Sequence, residues 1–412
     1  MDNVREIRRK KELYFILPED CTDNIASEIL HSTVIIAYLY YTDTLEKYLS
    51  YLDNIPIEIP IYIISSNSET SDKILLYIKS KTKNKPRFIK KENRGRDIST
   101  LLVTCKEIIK SYKYICFLHD KKEKYDYLKL DTERWIANLW GNCIKTENYI
   151  RNVLALFERE SSIGLLVPPE PIGDYRNEWY SNNSWVNAFD CTFNLAKSLH
   201  LNCDIRKEFS PITLGTVFWG RVSALRKLFD KEWSYTDFLP EPLPSDGTIS
   251  HAVERILGYV VQDAGYDTGT IMASTYAEHQ MVILQESLTA AFDILREELG
   301  ISNFIDLKKF WEQKMRVCDF CKKNRDVFLY GAGKKGIACL HLMRLYGYKP
   351  KGFIVSDKNE QDCEIEGISI EEWRNIKNIK NMGIIVAVSN RLQEEIIQNL
   401  NEVKFTNYIN YC

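Results

Sequence analysis

A continuous apolar run, Tyr114-Ile115-Cys116-Phe117-Leu118, stops abruptly at His119-Asp120-Lys121-Lys122. A strand without polar alternation is buried on both faces, which requires a sheet covered by helices on each side. Upstream, Arg87–Lys90 reads as a strand that runs into Glu92-Asn93-Arg94-Gly95-Arg96-Asp97. There Gly95 can let the backbone approach a ligand and Asp97 can cap the next helix. That helix carries Ile98, Leu101, Leu102, Cys105, Ile108 and Ile109, the stripe of a helix packed on a sheet. In open α/β sheets ligands sit at the carboxyl ends of strands, so both polar clusters fall on one candidate edge.

The same alternation precedes this stretch. Residues 33–41 read as a buried strand followed by a helix to about Leu52, and Ile57–Ile64 as a strand ending in a serine-rich loop that begins at Ser65. Four strand and helix repeats predict a parallel, doubly wound sheet. Beyond a helical stretch at about 128–160, residues 162–167 and 214–221 read as further strands, with a polar loop rich in Trp, Tyr and Asn between them. Ile249–Asp263 reads as a helix bearing His251, Glu254 and Arg255, and Asp246 sits just before its amino end, where the helix dipole favours a carboxylate.

At 412 residues the chain exceeds one ordinary core. The reading assigns 1–302 to the large sheet domain, 303–324 to a charged helical connector and 325–412 to a small α/β domain. In that last part Gly331, Gly333 and Gly336 form a G-x-G-x-x-G turn between a strand and a helix, with Asp357 just past the following strand. That context suits a second nucleotide site, although only half of a full dinucleotide fold is legible. A net charge of −2 offers no nucleic-acid footprint. No run reaches the roughly 18 apolar residues that span a bilayer. The 11 scattered cysteines fit a reducing cytoplasm, and the pair Cys318 and Cys321 lacks partners for a zinc site.

The blocks ENRGRDIS, YICFLHDKK, GTVFWGR and SDGTISHAVERILGYVV, in this order, resemble the rhamnan synthesis F family of bacterial polysaccharide glycosyltransferases. The resemblance spans most of residues 30–280 and implies a GT-A-like sheet domain followed by a Rossmann-like one. It implies an inverting transfer, with dTDP-β-L-rhamnose the favoured donor, onto a lipid-linked or growing cell-surface glycan at the inner face of the membrane. Ser65, Asn93, Gly95, Arg96, Asp97, His119 and Lys121 would then bind the nucleotide sugar, with Arg94 and Lys122 adding positive charge. The general base would correspond best to Asp246, with His251 and Glu254 as the other candidates, and Trp219 and Trp185, with Trp179 and Tyr180, would contact the acceptor.

The GT-A pattern carries Asp-x-Asp where this chain has His119-Asp120-Lys121. His119 and Asp120 can ligate Mg²⁺ or Mn²⁺, while Lys121 can neutralise diphosphate by itself, and both possibilities stay open here. The basic leader, Arg5 to Lys11, can touch anionic lipid or form a solvated face. Two other functions remain open at this stage: a non-catalytic subunit that binds nucleotide sugar, and an NAD-dependent enzyme that uses the carboxyl domain.

Overall fold

The computed structural model describes residues 13–22, 24–81, 84–122, 136–169, 185–213, 215–357, 363–376 and 382–411. The basic leader, Trp179 and Tyr180 lie outside these residues. The chain divides into two compact units, Met1–Gln285 and Glu286–Cys412, with the boundary inside the helix Ser274–Leu299.

The first unit is built on an eight-stranded, mostly parallel sheet. Its strands are β1 (Leu13–Leu17), β2 (Thr33–Tyr38), β3 (Ile61–Ser65), β4 (Arg87–Lys90), β5 (Tyr114–His119), β6 (Ile163–Val167), β7 (Phe218–Arg221) and β8 (Asp267–Ala273). Their spatial order is β1-β8-β6-β7-β5-β2-β3-β4. β2 is buried along its whole length because its two faces meet different helices. Ile35 and Ala37 join one core with Trp140, Val153 and Phe157, while Val34 and Ile36 join the other with Leu101, Val253 and Ile256. An uninterrupted apolar strand is the sequence consequence of that double burial.

Several expectations are corrected. LYFIL, just past the basic leader and not marked as a strand from the sequence, is the edge strand β1, paired in parallel with a second unmarked strand, β8. β7 is antiparallel to both β5 and β6, so the sheet is mixed at its centre. Asp97 does not cap the helix after β4; Gly95 does, at φ +70°. That helix is broken by a wide turn in which Cys105 N–H donates to Thr100 O at 2.9 Å, five residues back. Wider turns of this kind recur near functional sites.

The second unit holds a six-stranded sheet in the order β11-β12-β10-β9-β13-β14. These are β9 (Asp326–Tyr330), β10 (Gly352–Val355), β11 (Glu364–Ile365), β12 (Ile368–Glu372), β13 (Met382–Val386) and β14 (Tyr408–Asn410). All pair in parallel except β11 with β12. The sheet is therefore larger than the half-fold that the sequence made legible. The helix Phe304–Lys323, expected as a connector, buries Val317, Phe320 and Cys321 in the core of this unit. Among the described residues, no helix is long and apolar enough to cross a membrane.

A buried cation fastens the antiparallel strand. Arg221, 9% exposed, donates from Nε to Ile163 O and from Nη1 to Tyr114 Oη, each at 2.7 Å, and from Nη2 to Phe157 O. It thereby joins β7 to β5, β6 and the Glu147–Arg159 helix. Removing the guanidinium strands these acceptors, at about 1–3 kcal/mol for each one left unpaired. Arg221→Met is expected to lower the unfolding free energy of the first unit by at least about 2 kcal/mol in denaturant titration; an unchanged midpoint would show that this fastening is dispensable.

Candidate active site

The carboxyl ends of β2, β3, β4 and β5 lie on one edge, because these four strands pair in parallel. The amino end of β7 meets them there, since Phe218 pairs with Phe117. Three polar clusters from distant parts of the chain meet on this edge: the loop after β4, the turn after β5 and the start of the helix Ile249–Asp263.

The loop after β4 is held from below by Lys91. Its ammonium, buried at 7% exposure, donates to Arg94 O at 3.1 Å and Arg96 O at 2.8 Å and lies 5.0 Å from the Tyr38 ring centre. Burial depresses its pKa to about 8, against the opposing pull of Asp97 and Glu92. From above, the segment around Phe238 covers the loop. Arg94 Nε donates to Phe238 O at 2.6 Å, and a Cβ on Gly95 would stand 2.6 Å from Phe238 Cγ. The missing side chain of Gly95 thus makes room for Phe238 rather than for a ligand. Arg96 forms a two-pronged bond with Glu241, Nε to Oε1 at 2.8 Å and Nη2 to Oε2 at 3.1 Å. Both arginines expected to face diphosphate are therefore engaged by the covering segment. Asn93 is exposed and accepts from Ser66 Oγ at 3.1 Å, while Ser65 is fully buried and accepts from Asn67 N–H, which removes it from the ligand surface.

The turn after β5 is equally constrained. Asp120 Oδ2 accepts from the backbone N–H groups of Tyr40 and Tyr41, each at 2.7 Å. Burial pushes its pKa up to about 7, and the two amide bonds oppose the rise. His119 Nδ1 lies 3.0 Å from Asp120 O, and Trp140 Nε1 donates to His119 O at 3.0 Å. Lys121 N–H donates to Tyr48 Oη at 2.8 Å, which fixes the root of the lysine side chain. Lys122 pairs with Asp43 at 2.5 Å.

At the helix start, Asp246 is committed at both oxygens. Oδ1 is 2.9 Å from Arg255 Nη2, and Oδ2 accepts from Asn187 N–H at 2.7 Å. Arg255, 3% exposed, also donates from Nη1 to His251 O at 3.1 Å. Thr248 N–H donates to His251 Nδ1 at 3.3 Å, so the ring proton of the neutral form sits on Nε2. Burial lowers the pKa of His251, aided by Arg255 and Arg96 and opposed by Asp246. Glu254 differs from its neighbours because its side chain is 23% exposed and Arg255 Nη1 stands off at 4.0 Å. Its pKa is raised, first by burial and next by Asp97, while Lys121, Arg255 and His119 pull it down. Asp97, at the back of the site, accepts from Thr216 Oγ1 just before β7.

Two aromatic assignments are overturned. Trp219 is completely buried, with Nε1 donating to Cys143 O at 2.9 Å, and Trp185 is 2% exposed against Phe189 and Tyr259. Neither ring can meet an acceptor. Sequence reasoning also missed Lys91, Glu241 and Thr216, which act through contacts 3 to 145 residues away and carry no motif of their own.

In the second unit Gly331 adopts φ +113°, and a Cβ on Gly336 would fall 1.9 Å from Gly331 O. These two glycines let the helix start press against the turn, whereas Gly333 faces open space. Asp357 is exposed and pairs with Arg374 at 3.1 Å.

Fold and site together define a mixed α/β protein with carboxylates and cations gathered at the carboxyl ends of its central strands. The chain belongs to the rhamnan synthesis protein F family, whose profile matches residues 1–266. The family description ties its members to the synthesis of a polysaccharide, rhamnan. Two proteins from strains of Xanthomonas campestris pv. campestris, both described as uncharacterized protein WxcX, are similar at 25% identity over 181 residues. The match covers 44% of this chain and 24% of those relatives, so the chain corresponds to about a quarter of their length. A solved chain of nitrogenase Cp1 at pH 6.5 aligns at 10% identity and a TM-score of 0.15, over 98% of this chain and 88% of that one, an overlap too slight to inform the fold.

Asp120 yields a pH prediction. Its pKa is 3.8 in the reference state and about 7 when folded, so the folded chain holds the extra proton and loses stability as pH rises through that window. Asp120→Asn keeps an oxygen for Tyr40 and Tyr41. The variant is expected to gain stability relative to the native chain as pH is raised from about 4 to 8, followed by denaturant titration at each pH. Parallel profiles would rule out this carboxyl as the source.

Proposed function

We propose that the first unit is a GT-A-like, inverting glycosyltransferase that moves a sugar, with dTDP-β-L-rhamnose the favoured donor, onto a lipid-linked or growing polysaccharide precursor at the inner face of the membrane. The observation that carries this reading is the convergence of the loop after β4, the turn after β5 and the start of the helix that bears Glu254 at the carboxyl ends of four parallel strands. Membership in a family concerned with rhamnan synthesis supports the substrate class.

Glycosyl transfer needs a base for the acceptor hydroxyl and a charge sink for the departing diphosphate. Glu254 is assigned as the base. Of the three helix carboxylate and imidazole candidates, Asp246 has both oxygens occupied and His251 Nδ1 is engaged by its own helix cap. Glu254 keeps partial access and a pKa raised by burial, which strengthens it as a proton acceptor. The acceptor oxygen attacks the anomeric carbon while its proton passes to Glu254, and the bond from that carbon to the diphosphate oxygen breaks. Arg255 holds Asp246 and the His251 carbonyl, which positions the helix turn that presents Glu254.

The second unit is read as Rossmann-like. With β9 counted as the first parallel strand, the order of its parallel strands is 3-2-1-4-5, and the glycine turn follows β9 at the reversal of direction. Gly331, Gly333 and Gly336 make that turn suitable for a nucleotide, with Asp357 held by Arg374 beyond the neighbouring strand.

Glu254→Gln is expected to lower kcat by about 10²- to 10⁴-fold while leaving the donor KM within a few-fold, measured as nucleoside diphosphate release in the presence of acceptor. In the native enzyme kcat should rise with pH through the elevated pKa of Glu254, and this limb should vanish in the variant. Near-native turnover by Glu254→Gln would remove the assignment of the base.

A further inference from the structure

Arg96 combines a fixed main chain with an exposed guanidinium. Its φ of +45° lies in the left-handed region, which a residue with a Cβ adopts at a cost. Three donors hold its carbonyl there: Lys91 Nζ at 2.8 Å, and Ser99 Oγ and Thr100 Oγ1 each at 3.2 Å. The side chain stays 52% exposed and forks onto both oxygens of Glu241, itself 26% exposed. That fork is the arrangement in which a guanidinium takes two oxygens of a phosphate. Glu241 stands on a segment fixed at both ends. At one end Phe238 is buried over Gly95, Tyr235 Oη lies 2.9 Å from Thr104 Oγ1, and Pro240 forms a main-chain bridge with Arg94. At the other, Asp246 is held by Arg255 and the Asn187 N–H. Between these ends Pro242, Pro244 and Ser245 are exposed, and the Glu241 carboxylate also takes Leu243 N–H at 3.1 Å. An ion pair this open to water contributes little net stability, because solvent competes for both charges. A ligand with more negative charge than one carboxylate can therefore take the guanidinium from it.

We propose that Glu241 is a built-in anion occupying a diphosphate subsite on Arg96, so that a diphosphate binds by displacing the Glu241 carboxylate and swinging residues 241–245 off the loop after β4. The inference deepens the glycosyltransferase reading above, on which the source of the diphosphate, a nucleotide-sugar donor, rests. The two arginines of the loop then divide the work. Arg94 Nε donates to a main-chain carbonyl, Phe238 O at 2.6 Å, and anchors the covering segment whether or not a ligand is present. Arg96 meets a side-chain carboxylate and can exchange it for phosphate oxygens without unseating Phe238. The strained but triply held backbone of Arg96 keeps its guanidinium aimed at the same place through that exchange.

The test is isothermal titration of the full-length protein with inorganic pyrophosphate, dTDP, UDP and GDP, using the native chain, Glu241→Gln, Arg96→Met and the double variant, each checked for cooperative unfolding. Glu241→Gln is expected to tighten pyrophosphate and one nucleoside diphosphate by about 3- to 10-fold, because the subsite is no longer filled from within. Arg96→Met should weaken both by at least about tenfold, and adding Glu241→Gln to it should bring no recovery, since Glu241 acts through Arg96. Arg96→Lys, which keeps a charge without the fork, replaces Arg96→Met if that variant does not fold, with the same order of affinities expected. A gain of equal size from Glu241→Gln without the native Arg96 would show a general charge effect, and unchanged affinity in both single variants would show a purely structural pair. Either result overturns the inference and leaves the glycosyltransferase reading standing wherever a nucleoside diphosphate binds. The expected pattern with pyrophosphate, joined to no binding of any nucleoside diphosphate, would keep the subsite and remove the donor reading. Failure of every diphosphate to bind any form of the protein would overturn both.

Discussion

The Asp120 carboxylate, buried and accepting two backbone N–H groups from Tyr40 and Tyr41, ties the end of β5 to the turn after β2. Parallel pairing of β2 with β5 brings these ends side by side, but it leaves the chain free to diverge beyond the last paired residues, Tyr38 and His119. The carboxylate closes that gap. With the turn fixed, Trp140 and Tyr48 can reach the main chain of His119 and Lys121, and the site edge acquires a rigid floor. Burying a carboxylate is costly, and two charge-assisted amide bonds offset part of that cost.

A second constraint operates across the cleft. Arg255 is nearly inaccessible and is balanced by Asp246, whose other oxygen takes the Asn187 amide. A buried pair of this kind contributes little net stability but fixes geometry, because each partner is uncompensated if the other moves. The pair holds the first turns of the Ile249–Asp263 helix in register with the strand ends. Division of labour follows from the same electrostatics. Asp246 and Arg255 neutralise one another, whereas the Glu254 pKa is raised, first by burial and next by the Asp97 charge, and its side chain keeps partial exposure. Neighbouring acids on one helix turn thus acquire different chemistry from their surroundings alone.

Much of the layout was legible in residue order. Doubly buried strands announce themselves as unbroken apolar runs, and β2, β3 and β5 lie where those runs predict. The clusters after β4 and β5 follow from strand ends in a parallel sheet. What escaped was set by distant contacts. LYFIL gives no hint of its partner because β8 lies about 250 residues on, and an antiparallel β7 looks the same in sequence as a parallel one. Trp185 and Trp219 stand as acceptor contacts by their position in the chain, yet both rings are buried and each indole N–H finds a carbonyl, at Phe209 and Cys143. Large rings whose polar atom is satisfied internally are at home in a core.

The sequence by itself determined the alternation of strands and helices, the edge on which polar residues gather and the glycine turn of the second unit, because hydrophobic period and turn chemistry are local properties. Tertiary structure alone decided which charged residues are spent and which are presented. Arg94 and Arg96 are engaged by a segment more than 140 residues away and Asp246 is locked to Arg255, while Glu254 keeps partial exposure. The ionisation and reach of a side chain depend on the dielectric and partners around it, and these exist only once distant parts of the chain have packed together.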